Sequence, residues 1–79
     1  MPNDRGDIRY NPADLVEPTV QYLVDEIAGL RDDPGTQHAC EDTLYLLVLR
    51  ACAAGNPEAQ KLATIALRTQ HIEFRRRCA

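Results

Sequence analysis

A chain of 79 residues with 44% apolar and 27% charged side chains has enough material for one folded domain and too little charge bias for a disordered one. At this length only about 60% of the unfolded surface is buried on folding, which leaves little room for an enclosed catalytic cleft and favours help from a second subunit. The longest purely apolar run, Leu44 to Leu49, is too short to cross a bilayer, so no membrane partner is expected.

The net charge of −3 is unevenly distributed. Residues 1–42 hold ten acidic groups against Arg5, Arg9 and Arg31, whereas residues 43–79 hold five arginines and Lys61 against Glu58 and Glu73. An acidic front half and a basic back half attract each other within one chain or between two copies, or present a basic end to an acidic partner.

Residues 1–13 contain Pro2, Gly6 and Pro12 and no apolar period, which predicts a mobile arm ahead of a single helical domain over 14–79. The arm lacks the basic stretch and apolar run of a secretory signal, so a cytoplasmic location is expected. Its Arg5-Gly6-Asp7 triplet matches an integrin-recognition tripeptide, and without a sign of export it reads as solvated tail.

From Asp14 the pattern turns helical. Asp14-Leu15-Val16-Glu17 fits a capping box, with Pro18 in the first turn, although Pro18 also allows the start to slip to residue 18. Val16, Val20, Leu23, Val24, Ile27 and Leu30 then recur at helical spacing, with Tyr22 and Asp25 opposite, predicting a first helix over about 15–32. The Asp32-Asp33-Pro34-Gly35 stretch ends it, and Asp33 or Thr36 can cap the next.

The second helix is expected over about 37–54, stopped by Gly55 in the C′ position. Asn56-Pro57 then serves as cap and first helical residue of a third helix over about 57–77. Short connections between three helices predict an all-α, up-down-up bundle. Locally, "AAGNPEAQKL", Ala53 to Leu62, resembles the turn of Sel1-like repeats, which implies a helical hairpin of the kind those repeats use to bind proteins. The likeness spans ten residues and has no second copy along the chain.

The second helix is unusual in being apolar nearly all the way round. Cys40, Leu44, Leu47, Val48, Ala51 and Ala54 share one face at about 100° per residue. Tyr45, Leu49 and Cys52, flanked by Leu46 and Ala53, lie on the far side, and only Thr43 and Arg50 form a polar ridge. In the third helix Leu62, Ile65, Ala66, Thr69 and Ile72 make one stripe, and Ala63, Leu67, Phe74 and Cys78 a second, with His71 beside it. Two neighbours within a three-helix monomer cover less than this. The excess predicts a homodimer or partner interface built on Tyr45, Leu46, Leu49 and Cys52 and joined by Leu67 and Phe74.

No residue set specifies catalysis, a cofactor or a metal. Cys40 and Cys52 sit about 18 Å apart on one helix, too far for a disulfide, and an odd count without an export signal points to buried or free thiols. His38 and Cys40, at i and i+2, point apart, and Cys78 with His71 has no orienting carboxylate. The expected role is therefore a small non-enzymatic, protein-binding regulator that adapts or sequesters another protein through apolar helix faces. The alternative is a nucleic-acid-associated regulator that contacts phosphates, or an acidic partner, through Arg68, Arg75, Arg76 and Arg77.

Overall fold

A computed structural model describes residues 10–73 of the chain. Three α-helices, α1 (Glu17–Gly29), α2 (Pro34–Ala53) and α3 (Ala59–Ala66), form a bundle in which each packs on the other two. A 3-10 turn precedes α1 at Pro12–Asp14 and another follows α3 at Leu67–His71; no strand occurs among the described residues.

The all-α expectation holds, while several boundaries move for identifiable reasons. α1 begins at Glu17 rather than at residue 15, with extended Val16 as its N-cap and Pro18 in the first turn. A helix begun at residue 15 would set Pro18 beyond the positions that tolerate a missing N–H. Asp14 therefore caps nothing in α1. It sits in the preceding 3-10 turn and accepts a hydrogen bond from Asn11 Nδ2 at 3.2 Å. Val16, assigned to the apolar stripe, is exposed at this junction. The other end of α1 comes at Gly29, three residues short of 32.

α2 starts three residues earlier than expected, with Pro34 in the first turn and Asp33 as cap. The Asp33 carboxylate accepts from the Thr36 backbone N–H at 3.1 Å and from the Thr36 hydroxyl at 2.7 Å. These bonds favour the ionised form and hold the Asp33 pKa below its ordinary value. At the far end Gly55 adopts φ of 79°, the left-handed geometry expected of a C′ glycine. Asn56 N–H bonds to the Ala51 carbonyl at 3.0 Å and Gly55 N–H to Cys52 at 3.1 Å, the paired closure of a Schellman turn. Ala54, placed on the core face by periodicity, is the exposed C-cap of this turn.

The third helix departs furthest from expectation. α3 starts at Ala59 rather than Pro57, with Glu58 and not Asn56 as its N-cap, holds only eight residues and tightens after Ala66 into the 3-10 segment, which ends where Ile72 turns extended. In a 3-10 segment residues three apart align, so Ala66, Thr69 and Ile72 all face inward. Expected residues 74–77 of this helix lie outside the described residues.

The core joins Val20, Val24 and Ile27 of α1 to Leu44, Leu47, Val48 and Ala51 of α2 and to Leu62, Ile65 and Ala66 of α3. Its floor is closed by Leu15, with Tyr10 packed against it. The described end of the expected arm is thus tied into the bundle. Asn56, buried in the α2–α3 turn, donates through Nδ2 to the carbonyls of Pro12 at 3.0 Å and Leu15 at 2.9 Å. Its Oδ1 accepts from Glu58 N–H at 2.8 Å, so one amide caps the turn and anchors the N-terminal segment.

Candidate functional site

Core packing consumes one side of α2 and leaves the other bare. Leu44, Leu47, Val48 and Ala51 are buried, and with them the polar Gln37 and Glu41 on the same face. The opposite line, Asp42, Leu46, Leu49 and Ala53, runs at steps of four, three and four residues, and all of it is exposed. Leu49 is 67% and Leu46 43% exposed, and Cys52 lies beside them at the surface. Three of the residues selected from the sequence, Leu46, Leu49 and Cys52, therefore share one solvent-facing strip.

Tyr45 is placed differently. Its ring is half-buried against the core, and its hydroxyl is the centre of a polar cluster between α2 and the 3-10 segment. Gln70 Nε2 donates to it at 2.8 Å, the fully buried Thr69 hydroxyl is bonded to it, and it donates to the buried Glu41 carboxylate at 3.3 Å. Tyr45 thus borders the strip and serves the bundle. Leu67, at the start of the same 3-10 segment, is 57% exposed; Phe74 lies outside the described residues.

Among the arginines considered for an acidic partner, Arg68 is exposed and donates through Nη1 to Gln21 Oε1 of α1 at 2.6 Å. Lys61 lies 3.9 Å from Glu17 of α1, a surface pair of the acidic-front, basic-back kind. Its exposure limits what it contributes. Arg75, Arg76 and Arg77 lie outside the described residues.

Four buried polar residues carry interior bonds, and apolar periodicity places only Thr69 among them on an inward stripe. They are Gln37, Glu41, Asn56 and Thr69. Gln37 Nε2 donates to the Ile27 carbonyl at 2.9 Å, joining α2 to the end of α1. Sequence offers no signal for Gln37 and Glu41, and marks Asn56 only as a cap.

A cleft of about 560 Å³ opens between α1 and α2. Apolar walls come from Leu23, Leu30, Leu44 and Leu47, and two tyrosines, Tyr10 and Tyr22, frame it. Among the described residues Glu26 is the one formally charged side chain in the lining, and Tyr22 donates to its carboxylate at 3.0 Å. Cys40 also lines the cleft. Burial pushes its thiol pKa up, and the negative charges of Glu26 and Asp33 push it further, so it stays protonated at neutral pH.

Among the described residues no three His, Cys, Asp or Glu side chains are grouped to hold a metal ion, and no helix is long and apolar enough to cross a membrane. No family model matches the chain, and no curated protein or solved structure matches it significantly.

Proposed function

We propose that the chain is a small, non-enzymatic protein-binding regulator that forms a two-fold homodimer through the outer strip of α2 and, in that state, binds or sequesters another protein. The observation that supports this reading is the exposure of Leu46, Leu49 and Cys52 on a helix whose opposite face is already spent on the core. Grouped apolar side chains of this size at a surface favour burial against a partner. In a two-fold contact the same strip serves both subunits, with Leu49 near the axis. The bundle is up-down-up in this reading, since Glu17 and Gln21 of α1 meet Lys61 and Arg68 in matching order. A cytoplasmic location accords with the free thiols of Cys40 and Cys52.

Light scattering on the purified chain tests the proposal. The parent is expected at twice the chain mass and Leu49→Glu at the monomer mass with its helical circular dichroism intact, because an exposed substitution shifts folding stability by only about 0.5 kcal/mol. A parent that is a folded monomer at all working concentrations rules out the homodimer.

A further inference from the structure

The geometry points to the α1–α2 cleft as a binding site for a small organic cation, an ammonium or amidinium group carried on an aromatic or aliphatic body. A volume of about 560 Å³ falls in the range of small-ligand sites, and leucines from both helices give it the apolar walls such sites have. The charge of the ligand follows from the lining. Among the described residues Glu26 is the one formally charged side chain in the lining and no lysine or arginine contributes, which favours a cation over an anion. The Tyr10 and Tyr22 rings add π surface of the kind that attracts cations. Burial does most to raise the pKa of the Cys40 thiol, and the negative charge of Glu26 on the same cleft adds to it.

Gly29 is the position at which the cleft can be filled by substitution. It lines the cavity from the last position of α1, its φ lies outside the left-handed region, and a Cβ there would meet nothing within 4 Å. A larger side chain at this position can fill the space without straining the backbone.

The test uses the full chain and two probes with one ring system, 2-(1-naphthyl)ethylammonium and the neutral 2-(1-naphthyl)ethanol, titrated by amide chemical shifts. Saturable shifts at Gly29 and Thr43 are expected from both, with the ammonium about fivefold tighter, the worth of one solvent-exposed charge contact of about 1 kcal/mol. Glu26→Gln keeps an acceptor for Tyr22 and should bring the two affinities together. Gly29→Leu should abolish binding of both while its thermal midpoint stays level or rises. Equal affinities in the parent, an ammonium preference that survives Glu26→Gln, or failure of both probes to bind overturns the proposal. So does binding that persists in Gly29→Leu, or a parent dimer that Gly29→Leu converts to monomer, which would assign the cleft to a second copy. Should Gly29→Leu lose its helical circular dichroism, the Glu26→Gln affinity ratio decides.

Discussion

Asn56 Nδ2 donates to the Leu15 carbonyl across 2.9 Å, joining residues 41 apart in sequence. The same amide group reaches Pro12, and its oxygen holds the Glu58 N–H, so a single buried side chain fixes the N-terminal segment to the α2–α3 turn. Asn56→Ala removes partners from two carbonyls and one N–H, and should lower unfolding free energy by about 2–4 kcal/mol in urea titration.

Asn56→Asp separates geometry from charge at the same site. An aspartate retains the acceptor for Glu58 but turns a second oxygen toward the Pro12 and Leu15 carbonyls, where only its protonated form can donate. Its folded pKa should therefore rise above the unfolded value. Stability relative to the parent is greatest below the unfolded carboxyl pKa of about 3.9 and is lost as pH rises through the folded pKa. Thermal melts of both chains from acid to neutral pH would show the gap widening upward.

Tyr45→Phe tests whether Tyr45 belongs to the bundle or to an interface. Loss of the hydroxyl takes one partner each from Thr69, Gln70 and Glu41, and should cost about 1–2 kcal/mol in denaturant unfolding while leaving the mass by light scattering unchanged. A change of mass without loss of stability would place Tyr45 at the interface.

Two glycines should answer alanine with opposite signs. Neither has an atom within 4 Å of a built Cβ, so backbone conformation alone decides. Gly55, at φ of 79°, should lose about 1 kcal/mol on Gly55→Ala, whereas Gly29→Ala should gain about 0.5 kcal/mol by restricting the unfolded chain. Matched thermal melts check both.

Asp33 predicts an acid-side effect. With its folded pKa held down by the two Thr36 bonds, its contribution to α2 is full above the ordinary carboxyl value of about 3.9 and fades as pH falls through the folded pKa. Asp33→Ala should melt at lower temperature than the parent at pH 7, and the difference should shrink in acid.

Local rules made the helical class legible. The apolar period marked Val20, Val24, Ile27, Leu44, Leu47 and Leu62 as core, and Asp33 and Gly55 mark the two ends of α2 because capping depends on residues one to four positions away. The exposed strip was legible as an excess, since a 20-residue helix with two apolar sides has more apolar surface than the chain can cover. Which members of the excess stay exposed was not. Tyr45 and Leu49 look alike in sequence, and they part only because Thr69 and Gln70 arrive beside Tyr45 from 24 and 25 residues away.

Residue type and spacing thus determine, by themselves, the helical class, the caps at the two ends of α2 and the surplus apolar face, because these follow from short-range geometry. Tertiary structure decides the shortening of α3, the burial of Gln37, Glu41 and Asn56, and the cleft between α1 and α2. Each of those depends on hydrogen-bond partners or walls brought together from distant positions, where a buried polar group is tolerated only once its partner is in place.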